Sequence, residues 1–239
     1  LNCSMYDINS SDSIIGFAKQ LKNRTLRQSC GVEIEENGYR GKGNFGQLLE
    51  KFYFGYEPNS VAEPDFNEVG IELKTSPLKT LRNGEFRSKE RLVLNIINYL
   101  KVHKEDFETS SFWKKNAHLL LVFYLHDKDL DLLDYVIKLV DNWKYPNEDL
   151  KIIKHDWELI NKKIKEGKAH ELSEGDTFYL GACTKGSTAL KSLRDQPFNE
   201  EQAKQRAYSL KQGYVNHIIA NMDNIPPLQK MMSFINQAS

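Results

Sequence analysis

The segment Glu63–Thr75 constrains this chain more than any other stretch, because apolar and charged residues alternate within it. The apolar set is Val69, Ile71 and Leu73, and the alternating set is Gly70, Glu72 and Lys74. A period of two predicts a β-strand whose two sets point to opposite faces of a sheet. One face is therefore expected to enter a core, while the other carries a carboxylate and an ammonium group side by side.

Asp65 lies seven residues before Glu72 and adds a second carboxylate to this segment. Carboxylate oxygens are the ligands that Mg²⁺ prefers, and one or two usually suffice because water and phosphate fill the other positions. A lysine beside them, such as Lys74, orients or deprotonates an attacking water and offsets charge on a phosphate. The pattern therefore predicts metal-assisted cleavage of a phosphodiester bond.

The charged residues are unevenly distributed, although the 33 Lys and Arg balance the 33 Asp and Glu over 239 residues. Two segments, 79–104 and 183–214, are basic, and the segment 126–176 between them is acidic. Zero net charge argues against a uniformly basic nucleic-acid-binding protein, since phosphate affinity comes from clustered Lys and Arg. The alternatives are a basic cleft with an acidic back, or an ordinary solvated surface.

The cysteines and the apolar runs indicate a cytoplasmic protein without a membrane segment. Three cysteines, with no CxxC pair and no histidine at ligand spacing, favour neither a disulfide framework nor a zinc site. The longest apolar run, 119–125, is too short to cross a bilayer.

Helices and strands are both expected along the chain, which predicts an α/β or α+β domain with a mixed central sheet flanked by helices. Predicted helices begin after Ser10, at Phe45 (ending at Gly55), at Ser88, at Asn147 (ending at Gly167) and at Tyr214. Besides the strand carrying Glu72, predicted strands cover 117–125, 135–140 and 178–182, and Asn83-Gly84 predicts a hairpin turn.

The segment Gly41-Lys42-Gly43-Asn44-Phe45-Gly46 matches G-x-G-x-x-G and leads into a predicted helix. A dinucleotide site would need a hydrophobic strand directly upstream, and the acidic segment 31–38 does not supply one. Two alternatives remain: the backbone approaches a phosphate beside Lys42, or the glycines only permit a tight turn. Glu50, on the same helix, adds a third carboxylate if that helix packs beside the strand of Glu72.

Several motifs together strongly resemble the MutH mismatch-repair endonucleases and, still more, their restriction relatives of the Sau-three-A type, which cut at GATC. The similarity covers roughly residues 40–220. The motifs are Lys42-Gly43-x-x-Gly46-x-Leu48-Leu49-Glu50, Asp65-Phe66, Gly70-Ile-Glu-Leu-Lys-Thr75, Ser88–Tyr99, Phe107–Phe112, Gly167–Gly175, Cys183–Gly186, Leu193–Pro197 and Ala203–Tyr214.

The resemblance implies the PD-(D/E)xK restriction-endonuclease fold, Mg²⁺ as cofactor and GATC-containing duplex DNA as substrate. It implies that Asp65 and Glu72 bind the metal, that Glu50 completes the acidic cluster, and that Lys74 handles the attacking water. The DNA-binding residues that it implies are Lys42, Lys115 (with Lys114 competing for that position), Lys185, Arg206 and Lys211. Ser209 stands where the repair enzymes have a tyrosine that reads the site, with Tyr208 adjacent, which leaves that base contact and the sensitivity to adenine methylation open.

The resemblance favours a type II restriction endonuclease that leaves 5′-phosphates. The alternatives are a DNA-binding module without catalysis and a strand-nicking repair endonuclease. The expected domains are a catalytic domain at 1–222 and a C-terminal helix or linker at 223–239 that leads toward a second module. Without such a module, pairing of two chains on DNA is expected, since a palindromic site has two strands to cut.

Overall fold

The computed structural model describes residues 5–30, 45–58, 62–186 and 192–222. Lys42, the glycines at 41 and 43, and the expected linker at 223–239 lie outside the described residues. The predictions made for these positions therefore stay predictions.

Nine β-strands lie within the described ranges, and seven helices accompany them. The strands are β1 (Glu72–Thr80), β2 (Phe86–Ser88), β3 (Leu92–Ile96), β4 (His118–Leu125), β5 (Ile137–Lys144), β6 (Leu180–Thr184), β7 (Leu193–Gln196), β8 (Asn199–Lys204) and β9 (Arg206–Leu210). The helices are α1 (Ser11–Lys19), α2 (Leu26–Cys30), α3 (Phe45–Leu48, continued as a π-helix over Leu49–Phe54), α4 (Tyr99–Val102), α5 (Ser111–Asn116), α6 (Asn147–Lys165) and α7 (Gln212–Met222). In these ranges, none of the helices has the length and apolar character that a bilayer crossing requires.

The main sheet is mixed and has the strand order β2-β1-β4-β5. β1 pairs in parallel with β4, with Glu72 opposite Leu119, whereas β2 and β5 join at the edges as antiparallel partners. A second sheet has the order β3-β9-β6, and β7 and β8 form a separate hairpin. The predicted mixed sheet flanked by helices is confirmed.

The central strand β4 is buried on both faces, which accounts for its nearly unbroken apolar sequence. Leu120 and Val122 pack into a core with α1, α2 and α3 on one face. Leu119, Leu121 and Phe123 pack on the other face, into a core that includes α6, α7 and the second sheet.

The predicted helix beginning at Ser88 is wrong, because most of that segment forms β3 and only Tyr99–Val102 is helical. Leu92 and Leu94 are buried while Val93 is only partly buried, so the apolar residues follow a period of two. Pairing of β3 with β9 supplies the backbone partners of this strand. The sequence analysis also missed β7, β8 and β9.

The strand of Glu72 begins later than its alternation predicted. Val69 lies in a 3₁₀ turn, Asn67–Val69, and Gly70 follows it with φ of 66°. This left-handed conformation favours glycine and reverses the chain just before β1. The predicted hairpin turn is confirmed, since Gly84 has φ of 84° and β1 pairs with β2 around it.

Candidate active site

The turn before β1 brings Asp65 against Glu72. An isolated bridge between Phe66 and Ile71 closes this turn. The backbone N–H of Asp65 donates to Oε2 of Glu72 at 3.1 Å, and the backbone N–H of Leu73 donates to Oδ2 of Asp65 at 2.9 Å. The two carboxylates, seven residues apart in sequence, are therefore held together by backbone donors from the turn and from β1.

Glu72 is a buried carboxylate that two lysines flank. Its side chain is 2% exposed, Lys74 Nζ forms an ion pair with Oε1, and Lys115 Nζ lies 3.6 Å from Oε2. Burial raises the pKa of Glu72, while the charge of Lys74 opposes that rise. Because a buried charge is costly without partners, this paired arrangement is what permits a carboxylate to remain at the edge of the core.

Lys115 reaches the cluster from α5, which precedes β4. Its Nζ donates to the backbone carbonyl of Glu63 at 2.8 Å, and its side chain is 13% exposed. Lys114 is exposed instead. Of the two lysines that competed for this position, Lys115 is thus the one that lies beside the carboxylates.

Glu50 faces the same cluster from the π-helical part of α3. Burial raises the pKa of Glu50 to about 7, with contributions from the negative charges of Asp65 and Glu72, while Lys74 and Lys115 oppose the rise. Short π-helical segments often mark functional positions, because they redirect side chains within a helix. The raised pKa therefore comes first from burial and second from the neighbouring carboxylates, whose effect the two lysines oppose.

A cleft of about 530 Å³ opens between these carboxylates and a second wall. Glu50, Asp65, Glu72 and Lys74 lie on one side. The facing wall includes Asn95, Ile96, Asn98, Lys101 and Ser111, with Lys115 between the two walls. The sequence analysis missed this wall because it assigned residues 88–100 to a helix, and the unbroken apolar run Leu92-Val93-Leu94 gave no alternation that would have signalled a strand.

The carboxylates of this cleft suit a hard divalent cation, since all their donor atoms are oxygens. Glu50, Asp65 and Glu72 do not form a closed cage, however, and no group of three or more Asp, Glu, His or Cys in the described part of the chain is arranged to enclose an ion. A Mg²⁺ ion needs only one or two carboxylates and takes its other ligands from water and phosphate. Asp65 and Glu72 would hold the ion, and the excess negative charge near Glu50 favours it.

Lys185 lies on a neighbouring groove that shares Glu50 and Lys74 with the cleft. Arg91 is another cation on this groove. The expected role of Lys185 at DNA stays a prediction.

Arg206 and Lys211 are engaged with the protein itself. Arg206 Nη1 donates to the carbonyl of Ala182 at 2.7 Å, and Lys211 Nζ donates to the carbonyls of Glu174 and Thr177. Burial lowers the pKa of Lys211. These contacts brace β6 and the turn before it, and the expected role of both residues at DNA stays a prediction.

Neither of the two residues at the position of the repair enzymes' site-reading tyrosine is on the surface. Tyr208 and Ser209, on the central strand of the second sheet, are both 1% exposed. The base contact that was left open at this position therefore gains no support from the burial of these two side chains.

The comparisons with known proteins agree on one family. Residues 54–156 match the family model described as DNA mismatch repair enzyme MutH. The type II restriction enzyme Sau3AI of Staphylococcus aureus is 48% identical over 209 residues, which are 84% of this chain and 42% of that enzyme. The DNA mismatch repair protein MutH of Vibrio parahaemolyticus is 29% identical over 167 residues, 69% of this chain and 72% of that protein. The chain thus spans less than half the length of the restriction enzyme that it matches.

Proposed function

Because the chain belongs to the family of MutH and Sau3AI-type endonucleases, we propose that it is a magnesium-dependent type II restriction endonuclease that cuts double-stranded DNA at GATC. The observation that carries the proposal is the cluster of Asp65, Glu72 and Lys74 in an open cleft. GATC is the site expected from the resemblance of the motifs. A non-catalytic DNA-binding module would not need this cluster.

Each residue of the cluster has a role that its position supports. Asp65 and Glu72 would hold the cation, which when bound supplies a positive charge that stabilises the developing charge on the phosphate. Lys74, held as an ammonium group against Glu72, would orient the water that attacks phosphorus in line and would offset charge on the phosphate, while the proton of that water passes to solvent. Cleavage of the P–O3′ bond then leaves a 5′-phosphate and a 3′-hydroxyl.

The remaining cations would position the substrate. Lys115 lies beside Glu72 and would offset charge on the scissile phosphate, while Lys185 would contact the DNA further along the groove. Phosphate contacts of this kind position the duplex, and base-edge contacts in the grooves specify the sequence.

The second candidate is strand nicking, as in a mismatch-repair endonuclease. The described part of the chain contains one cluster of this kind, and one cluster cuts one strand at a time. Cutting both strands of a palindromic site requires either a second copy of the chain on the same site or a second module.

The cytoplasm is the proposed location. Cys183 is a buried thiol that forms no disulfide. Free thiols suit a reducing compartment, where the chain would also meet DNA.

Digestion of matched plasmids tests substrate, reaction and strand count together. Plasmids with and without GATC, each methylated and unmethylated at adenine, are incubated with the protein in Mg²⁺ or in EDTA. We expect linear products that map to GATC, in Mg²⁺ only, and none from the Asp65→Ala variant. Nicked circles alone would favour the repair-type activity, and equal cutting of GATC-free plasmid would refute the sequence specificity.

A further inference from the structure

Tyr56 lies immediately behind the acidic cluster. Gly55 ends the π-helix with φ of 76°, and the backbone N–H of Tyr56 then donates to the carbonyl of Glu50 at 3.2 Å. The ring of Tyr56 packs edge-to-face on Phe66, the neighbour of Asp65, with ring centroids 5.6 Å apart. Tyr56 is therefore bonded to the backbone of Glu50 and packed against the residue next to Asp65.

The hydroxyl of Tyr56 is buried and has no hydrogen-bond partner among the described residues. Two other tyrosines of the same core differ: the hydroxyl of Tyr6 donates to the carbonyl of Phe54, and that of Tyr53 donates to the carbonyl of Phe17, both at 2.8 Å. Buried polar groups in native proteins almost always have a partner, so an orphaned hydroxyl needs an explanation.

The charges around this hydroxyl indicate which partner it serves. Burial raises the pKa of Tyr56, and the negative charges of Asp65, Glu50 and Glu72 raise it further. A phenol O–H donates and an ionised carboxylate only accepts, so the orphaned hydroxyl is suited to serve these neighbours as a donor. It makes no direct bond to any of the three carboxylates, and polar groups separated in this way are commonly joined by one water.

We propose that Tyr56 is a positioning residue for the metal site, whose O–H donates through a bridging water to the carboxylates of Asp65 and Glu50. The inference rests on the proposed function, because it concerns how this chain orients its ligands toward Mg²⁺. Hydrogen bonds to ligand carboxylates from outside the coordination shell fix their orientation, and losing one typically lowers metal affinity or activity about 10–100-fold. Tyr56 is absent from the cleft lining, so it acts through these carboxylates and does not touch substrate.

The test is the Tyr56→Phe variant, which keeps the ring on Phe66 and removes only the hydroxyl. Tyr53→Phe is the matched control, because it removes a buried hydroxyl from the same core, and that hydroxyl bonds to the carbonyl of Phe17. The measurement is the Mg²⁺ concentration for half-maximal binding of a labelled GATC duplex with an uncleavable scissile phosphate, followed by fluorescence anisotropy. The unfolding temperature of each metal-free protein is measured alongside.

We expect Tyr56→Phe to raise the Mg²⁺ midpoint about tenfold and to leave the metal-free unfolding temperature unchanged, since no protein group loses a bond. Tyr53→Phe should lower the unfolding temperature and leave the Mg²⁺ midpoint near that of the wild type. Equal midpoints for Tyr56→Phe and wild type would overturn the inference while leaving the proposed function intact. A wild-type protein whose duplex binding ignores Mg²⁺ would overturn the inference alone, whereas cleavage of GATC plasmid at the same rate in EDTA as in Mg²⁺ would overturn both.

Discussion

At the scale of single residues, the active-site proposal depends on which charged groups are buried together. Glu72 is almost fully buried yet lies between two lysines, and Glu50 faces the same carboxylates from another element. Such perturbed groups in a cleft mark functional sites more often than ordinary surface pairs do. Two predictions follow from these side chains.

Replacing Lys74 with alanine should abolish cleavage, with a loss of about 10³-fold or more in rate, because the attacking water loses the ammonium group that orients it. DNA binding should be largely spared, since Lys115 and Lys185 remain. Single-turnover cleavage and filter binding of the same duplex separate the two effects. Lys114→Ala, at the exposed neighbour of Lys115, is the control, and near-normal cleavage by Lys74→Ala would remove lysine from the chemistry.

Replacing Glu50 with glutamine should make the metal-free protein more stable at pH 8. The folded-state pKa of Glu50 is about 7, against 4.5 for an unperturbed glutamate. The folded protein therefore binds the proton of the Glu50 carboxyl more tightly than the unfolded chain does. The stability that this proton contributes is fully present below pH 4.5 and is lost as the pH rises through 7. The side chain is only half-buried, so solvent reduces the difference at pH 8 to about 1 kcal/mol.

Urea unfolding of wild type and Glu50→Gln in EDTA, at pH 4.5 and at pH 8, measures this difference. The two proteins should agree at pH 4.5 and separate at pH 8. An equal or lower stability of Glu50→Gln at pH 8 would show that Glu50 is not crowded by the other carboxylates.

At the scale of elements, short-range chain reversals bring the residues of the site together, and one buried carboxylate elsewhere joins a helix to a strand. Gly70 turns the chain so that Asp65 meets Glu72, and Gly55 turns it so that Tyr56 returns to Glu50.

Away from the site, Asp156 of α6 is fully buried and accepts hydrogen bonds from the backbone N–H groups of Phe178, Tyr179 and Leu180, at 2.9, 2.6 and 2.9 Å. This carboxylate joins α6 to the start of β6.

Asp156→Ala should therefore destabilise the protein by about 3 kcal/mol, because three backbone donors lose a fully buried, charged acceptor. Urea unfolding measures the loss. Glu158→Gln, on an exposed position of the same helix, is the control and should change stability by less than about 0.5 kcal/mol. A small effect of Asp156→Ala would mean that water replaces the carboxylate at no cost.

Local sequence patterns were sufficient to predict several of the helices and strands. α1, the helix ending at Gly55, α6 and the strand β4 were predicted because their apolar periodicity and end signals are local. β3 was predicted as a helix, because a short run containing Leu92, Leu94 and Ile97 fits either period. Its pairing with β9, more than 100 residues away, decided between them.

At the scale of the whole molecule, the one cluster found in the described residues limits each chain to one strand at a time. Cutting of both strands at a palindrome should therefore depend on protein concentration. At protein concentrations below that of the sites, we expect nicked plasmid to accumulate before linear plasmid appears, and linear product should rise more steeply than in proportion to protein. Time courses on gels measure both species.

Sedimentation of the protein with a short GATC duplex supplies the matching physical measurement. Two chains per duplex are expected when the site is saturated. Linear product without a nicked intermediate at the lowest protein concentration would contradict the pairing of two chains, because it would mean that one chain cuts both strands.

The sequence by itself determined the parts of this protein that depend on neighbouring residues: the grouping of Asp65, Glu72 and Lys74, the strand that carries two of them, and the family resemblance. Only the tertiary structure decided that Lys115 and not Lys114 meets Glu72, that Arg206 and Lys211 bond to backbone carbonyls, and that Glu50 titrates near neutrality. These properties depend on distance and burial between segments far apart in the chain. Periodicity carries no information about them, because it records which face a residue occupies and not what lies opposite that face.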